Sequence, residues 1–371
     1  MQEILTATAK DKEDVIDFAN YVFSQSRVPH DFKTLIPVAY ADEVEGLGAE
    51  HYLIKKDGKI RAMVADRRSV HYYGGEALRT GFIGTVSVHP YARGEGHMKA
   101  LMPYAVEKAR KDGVDLMILG GQRQRYNYFG FETAGCKLSF RVTATNLRHA
   151  LAHVSTDGIT FAPLTSEEDV AFCLGLYEAL PIHTDRTLES FPRYAKMWKA
   201  DCRVAFRNGE RIGYVSGAFA ECAVRSEEDF PAVVKALFAY EGWGSVDIVV
   251  PPYDKKRIAL LSRIAESYSI GHVDMVRVLN WKRVLEVLLR FKASYTALKD
   301  GEASFAVEGM RYTVTVKDGV PTVTKTPAEE GECLSPVEAV RLLFQNLRLL
   351  EDGDFANWLP LPFFVLLGDA F

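Results

Sequence analysis

The chain has 371 residues, 48% hydrophobic and 25% charged, a composition that excludes a disordered, collagen-like or coiled-coil protein. A net charge of -4 with no Lys/Arg block argues against a nucleic-acid partner, because phosphate recognition needs a concentrated basic surface. Five cysteines, at 136, 173, 202, 222 and 333, form no CxxC pair, so neither a disulfide framework nor a metal site is expected.

The amino terminus turns acidic early and has no apolar signal core. The longest apolar run, Trp358 to Leu367, carries two prolines, so no membrane span and a cytoplasmic location are expected. In chain order, Ile4–Ala7 reads as a strand. A helix follows from the N-cap Asp11, with Val15, Phe18, Ala19 and Val22 at helical spacing. HYLIKK and KIRAMVADRRSVHYY are two strands turned at Asp57-Gly58, and Gly74-Gly75 turns into the strand Ala77–Val88. Beyond Pro90 lie a glycine-bearing segment and a helix carrying Ala100, Leu101, Tyr104, Ala105 and Val106. Gly113 stops that helix, and Val114–Leu119 has the continuous apolar character of a strand buried on both faces.

Residues 145–160 read as a connector. A second α/β stretch follows: a helix near Glu167–Leu180, a strand pair over Arg203–Ala218 turned by Asn208-Gly209, and a helix at Phe230–Tyr240. It continues with a strand at Ser245–Val250, a helix at Lys255–Tyr268 and a strand near His272–Leu279. From Trp281 a helix leads into the strands ASFAVEG and RYTVTVKDG. VPTVTKT, a helix opened by Ser335-Pro336 and an apolar tail complete the chain. The expected class is α+β (mixed α/β) in three blocks, 1–146, 147–282 and 283–371. The central block follows the order of the first without its glycine segment, as a diverged repeat would.

Chemistry concentrates around Arg93-Gly94-Glu95-Gly96-His97-Met98. Glycines let backbone N–H groups approach a ligand, and the following helix start adds a positive dipole end, which suits a pyrophosphate. On physics alone a plain tight turn remains open. Val-x-Val-x-Pro-x-x-Arg-x-x-Gly before a helix with Ala100-Leu101 and a buried strand resembles the acetyl-coenzyme A site of the GNAT acyltransferase superfamily, with Arg93 and Gly96 matching its core. Met98 departs from the usual small residue. Pro90 through Leu101 is instead similar to the enhanced-intracellular-survival (Eis) type of N-acetyltransferase.

That resemblance implies tandem GNAT-like units: an amino-terminal acetyltransferase domain, a central unit lacking the cofactor loop, and a sterol-carrier-protein-like carboxy-terminal module. It implies acetyl-CoA as cosubstrate and no metal. Backbone groups at Val86, Ser87 and Val88 would hold the pantetheine and polarise the thioester, and residues 93–98 (Arg93, Gly94, Glu95, Gly96, His97 and Met98) would bind the pyrophosphate. Before Phe129-Gly130-Phe131 the resemblance puts the acid tyrosine at Tyr126, a phenol of reference pKa about 10 able to protonate a departing thiolate. Tyr128 is the rival, and packing roles for both stay open. It also makes the carboxylate of Phe371, of reference pKa about 3.5, the general base, against simple docking of an apolar tail. Asp369 is the one acidic residue near that end that could attract a cationic acceptor.

His89 and His97 are expected to pack rather than bind metal. The acidic runs at 11–14, 166–169 and 226–229 are expected to start helices. Phe191, Tyr194, Trp198, Trp243 and Trp358 are expected mainly in the core. The leading function is acetyl-CoA-dependent N-acetylation of a primary amine of aminoglycoside, lysine or polyamine type, in a ternary complex. The alternative is a CoA-sensing lipid or apolar-ligand binding protein without turnover. The resemblance further implies a trimer-based homo-oligomer.

Overall fold

The computed structural model describes residues 3–26, 28–329, 331–345 and 356–371. The amino-terminal stretch forms β1 (Leu5–Thr6), α1 (Lys12–Phe23), α2 (Phe32–Leu35), α3 (Pro37–Tyr40), β2 (Glu50–Lys56), β3 (Lys59–Tyr73) and β4 (Glu76–Val88). It continues through α4 (His97–Lys111), β5 (Leu116–Leu119), α5 (Arg123–Asn127) and β6 (Glu132–Ala134). The middle stretch forms β7 (Lys137–Thr143), α6 (Ala144–Ala150), β8 (Ile159–Pro163), α7 (Glu167–Glu178), β9 (Ile182–Thr184) and α8 (Phe191–Tyr194). Then come β10 (Cys202–Arg207), β11 (Glu210–Ser216), β12 (Glu221–Val224), α9 (Phe230–Glu241), β13 (Ser245–Val250), α10 (Lys255–Ile264) and β14 (Ser267–Gly271). The last stretch is β15 (Asp274–Val278), α11 (Trp281–Tyr295), β16 (Gly301–Val307), β17 (Met310–Lys317), β18 (Val320–Pro327) and α12 (Pro336–Phe344).

Two compact units divide these elements. The first takes residues up to Gly135, Asp274–Phe363 and Ala370–Phe371; the second takes Cys136–Val273 and Phe364–Asp369. The first unit's main sheet runs β1-β2-β3-β4-β5-β15-β6. Its β2–β3 hairpin closes on Asp57 and Gly58 at φ 53° and 73°, the paired positive values of a two-residue turn that fits strand twist. β4 and β5 are parallel, which requires a crossover, and α4 supplies it. One face of α4 lays Leu101, Met102, Ala105, Val106 and Ala109 against Tyr52, Ile54, Val64, Met117 and Leu119. A separate meander, β16-β17-β18, belongs to the same unit.

The second unit has two sheets, β12-β11-β10-β8 and β13-β7-β14. Each unit takes in one strand from far along the chain: β15 lies between β5 and β6, and β7 between β13 and β14. Three local readings change. Residues 145–160 begin in helix α6, whose Thr143 side chain accepts from the Asn146 amide. The helix read over Lys255–Tyr268 ends at Ile264, because Ser267–Gly271 pairs antiparallel with β7. α2 and α3 carry no long apolar period and escaped the pattern. The acidic runs do open helices: Ser166 caps α7, and Asp229 is the N-cap of α9. Among the described residues no helix is long and apolar enough to cross a membrane, and no His/Cys/Asp/Glu group could hold a metal ion.

Asp66 on β3 gives the first unit a pH signature. It is fully buried, with the Arg68 guanidinium 2.8 Å away, and burial pushes its carboxyl up to about 7 despite that cation. The native state therefore keeps a proton that the unfolded chain releases near pH 4, and stability falls as pH rises from about 4 to 7. Asp66→Asn is expected to remove this loss, gaining about 2–4 kcal/mol relative to the parent between pH 5 and pH 8. Urea unfolding at both pH values checks it; a difference independent of pH would contradict the raised carboxyl.

Candidate active site

The site is built around the end of β4. In the β3–β4 ladder Ala65 faces Gly84 and Met63 faces Ser87, so Thr85 and Val86 together oppose Val64. This is a β-bulge, and Thr85 takes φ 42°, a costly conformation for a β-branched residue. Buried hydrogen bonds hold it: Thr85 Oγ1 lies 3.1 Å from Tyr40 Oη, and Tyr40 Oη lies 2.8 Å from His51 Nε2. Burial lowers the His51 pKa to about 4, so the ring is neutral near pH 7. The extra residue also changes which side chains face the core. Ile83, Val86 and Val88 all join one apolar cluster, a spacing of three and then two that a flat strand cannot give.

The same region leaves backbone open. The parallel β4–β5 ladder ends at Ile83–Leu119, while β4 continues to Val88. The His89 amide donates to Arg61 O on the β3 side, so by strand alternation Val88 and Val86 aim their N–H groups toward the β5 side. Ser87 differs: its amide falls on the β3 side, and its buried hydroxyl donates to Thr85 O at 3.0 Å.

Beyond β4 the chain turns through Pro90–Ala92 into the glycine segment. Gly94 and Gly96 have φ 88° and 81°, and a Cβ at either would meet nothing within 4 Å, so the loop faces open space. Gly96 is the N-cap of the fifteen-residue α4 and makes no side-chain cap bond, which leaves the first amides of the helix available to an anion. Arg93, Gly94, Glu95 and Gly96 are exposed. His97 turns inward, with Nε2 3.4 Å from Glu95 Oε2, and Met98 packs on the core cluster. These two can face a ligand only through their backbone.

Tyr126 sits in α5 and is 6% exposed, within the cluster that holds Ile83 and Leu119. A Cβ at Gly121 would lie 2.7 Å from its Cε2, so the ring requires glycine there. Its carbonyl accepts from the amides of Phe129 and Phe131 at 3.0 and 3.2 Å. Burial raises the phenol above its usual value, which keeps it protonated at neutral pH. Tyr128 is 70% exposed, with Lys99 Nζ 5.6 Å from its ring centroid.

Phe371 lies against the bulge. Its ring stacks on Tyr40 with centroids 6.2 Å apart and meets Phe82 edge-on at 6.5 Å. A Cβ at Gly84 would lie 2.5 Å from Phe371 Cδ1 and 3.3 Å from its carbonyl carbon, so Gly84 is the residue that lets Phe371 approach β4. Asp369 does not serve as an attractor for a cationic acceptor. It is 2% exposed and spent in a buried network of the second unit, where Arg186 Nη2 reaches it at 2.9 Å and Thr184 Oγ1 at 2.7 Å. His89 packs as expected, stacked on Tyr21 with centroids 5.3 Å apart. Of the aromatics expected in the core, Phe191, Tyr194 and Trp358 are buried and Trp198 is 39% exposed. Tyr40, His51, Gly84 and Thr85 escaped the sequence reading; Gly84, next to a run of β-branched residues in a strand, was the one available signal for a close approach.

Residues 3–134 match the family model described as "Acetyltransferase (GNAT) domain". No curated protein sequence matches the chain. Among solved structures, a probable N-acyltransferase from Enterococcus faecalis is 17% identical, with a TM-score of 0.68 over 98% of this chain and 96% of that one. A GCN5-related N-acetyltransferase from Anabaena variabilis is 14% identical with a TM-score of 0.68, covering 100% of both chains. Eis1 from Mycobacterium abscessus is 16% identical with a TM-score of 0.67, again covering 100% of both. At these identities the likeness establishes a shared fold. The match makes residues 3–134 an acetyltransferase domain of the GNAT type, a class of N-acetyltransferase that uses acetyl-CoA as cosubstrate.

Proposed function

We propose that the chain transfers the acetyl group of acetyl-CoA to a primary amine, of aminoglycoside, lysine or polyamine type, by direct attack in a ternary complex. The observation that carries this reading is the bulged end of β4, where the Val86 and Val88 amides lie beyond the β4–β5 ladder, Phe371 packs on Gly84, and Ile83 shares an apolar cluster with the buried Tyr126. The amides of Val86 and Val88 would hold the pantetheine arm and polarise the thioester carbonyl. The loop from Arg93 to Met98, through its backbone and the start of α4, would take the pyrophosphate.

The Phe371 carboxylate accepts a proton from the ammonium acceptor, directly or through water, and frees the nitrogen lone pair. Nitrogen then bonds to the acetyl carbon, the C–S bond breaks, and Tyr126 gives its proton to the departing thiolate; the new amide nitrogen loses its surplus proton, through water, to the phenolate, and Phe371 releases its own to solvent. Products are the acetamide and free CoA thiol. Holding both reactants on one enzyme supplies much of the rate gain, and no covalent enzyme intermediate is needed.

In this reading the chain is of the Eis type: an acetyltransferase domain over 1–146, a GNAT-like unit without cofactor loop over 147–282, and a sterol-carrier-like module over 283–371, assembled as a trimer-based oligomer. The full-length likeness to Eis1 from Mycobacterium abscessus supports that choice. Removing Phe371 alone should lower turnover about 100-fold while acetyl-CoA affinity changes little. Thiol release across an amine panel, with calorimetry for the cofactor, checks it. Full turnover in the shortened chain would assign the proton to another base.

A further inference from the structure

Glu132, on β6, is the junction of three elements of the first unit. Its side chain is fully buried. It accepts from Arg123 Nε at 2.5 Å and Nη2 at 2.6 Å, and from Arg341 Nε at 2.6 Å. The Thr133 amide adds a bond at 2.7 Å. Arg123 is the first residue of α5, and Arg341 lies on α12. Gln345 Nε2 to Thr133 Oγ1 at 3.0 Å, and the Gly135 amide to Phe344 O at 3.2 Å, bring the end of α12 onto the same strand.

α5 needs external support. It has five residues, and Gln122 at its N-cap makes no side-chain cap bond. A helix that short has no stability of its own. Arg123 and Tyr126 are three residues apart, the spacing that puts two side chains over one helical face. Whatever fixes Arg123 therefore fixes the turn that presents the phenol. The Asn127 side chain donates to Phe131 O at 2.6 Å, and Arg277 donates to Phe129 O, which ties down the carboxyl end of the helix. Its amino end has the Glu132 carboxylate. Burial pushes that carboxyl up, yet the bonds from Arg123, Thr133 and Arg341 hold it down at about 2, so it is ionised wherever the protein is folded and active.

Resting on the reading of Tyr126 as the acid, we propose that Glu132 is a positioning residue: clamped between Arg123 and Arg341, it sets the orientation of α5 and so the place of the Tyr126 phenol. The carboxy-terminal block thereby contributes to catalysis through Arg341, which touches no substrate, in addition to Phe371. A neutral amide cannot replace the carboxylate, because Gln would accept at one oxygen and turn an NH2 group toward the second guanidinium.

The test uses the full chain with acetyl-CoA and an amine that the parent acetylates. Glu132→Gln is expected to lower kcat at least about tenfold, with KM for acetyl-CoA within about twofold. Arg123→Gln should give a similar loss; its side chain is 47% exposed, so this variant should keep the parent melting temperature. If Glu132→Gln does not fold, Arg123→Gln carries the test alone. The decisive readout is the same pair of changes made in Tyr126→Phe, where they should cost no further kcat, since their effect passes through the phenol. Losses that multiply in that background, or full kcat in the single variants while Tyr126→Phe is impaired, would overturn the clamp. Full kcat in Tyr126→Phe itself would instead remove the acid assignment, which separates the two failures.

Discussion

Replacing Tyr126 with phenylalanine should lower the chemical step by about 10²–10⁴-fold, the usual contribution of a positioned general acid. The change deletes one oxygen and leaves the ring packed among Ile83, Leu119 and Phe131. Fold and cofactor affinity should therefore hold. The parent phenol is protonated at neutral pH because burial raises it, so the variant's deficit should be flat from about pH 6 to 9. Single-turnover kinetics with calorimetry for acetyl-CoA check this. A normal rate in Tyr126→Phe with a slow rate in Tyr128→Phe would move the acid to the exposed tyrosine.

Arg186→Met should destabilise the second unit by about 3–5 kcal/mol, the cost of leaving buried charge without its partner. The guanidinium is fully buried, bonding Glu221 at 2.9 and 2.7 Å and Asp369 at 3.1 and 2.9 Å. Its carbon lies 3.7 Å from the Tyr177 ring centroid, so packing is lost as well as charge. Tyr214 donates to Glu221 at 2.8 Å and Tyr177 to Asp369 at 2.9 Å, bonds that cannot neutralise two carboxylates. Combining Arg186→Met with Glu221→Gln and Asp369→Asn should recover much of the loss. Denaturant unfolding of the single and triple variants checks both claims; equal stability of parent and Arg186→Met would show the network to be neutral.

Local chemistry was legible in the residues, and long-range pairing was not. Asp57-Gly58 and Asn208-Gly209 announce hairpins because two successive positive φ values need such residues. The amphipathic α4 and the apolar β5 follow from periodicity alone. β14 was hidden because Ser267–Gly271 has four exposed residues and continues a helical stretch; only its pairing with β7 makes it a strand. The insertion of β15 between β5 and β6 leaves no trace in composition, since nothing local distinguishes a strand that pairs nearby from one that pairs far away.

At the site, the loop from Arg93 to Met98 was readable because glycines and a helix start carry their physics in the sequence. The burial of Tyr126 and the exposure of Tyr128 were not, because they depend on which ring packs against Gly121. Thr85 gave no signal either: its positive φ comes from a bulge fixed by Tyr40 and His51, residues distant in sequence. Asp369 looked like an available charge and is a buried partner of Arg186. Glu132 carries no local signal of its role, because its partner Arg341 lies 209 residues away.

The most direct measurement is acetyl transfer itself. The full chain, acetyl-CoA and a panel of aminoglycosides, lysine peptides and polyamines would be followed by thiol release and by the mass of the acceptor. The expected result is one thiol released for each 42-dalton acetyl gain on an amine (the mass of C2H2O, roughly what one N-acetylation adds when amide chemistry proceeds by direct transfer), with initial rates that fit a ternary complex. Tight acetyl-CoA binding with no acetylated amine from any class would contradict it, and would leave a protein that senses the cofactor without turning it over.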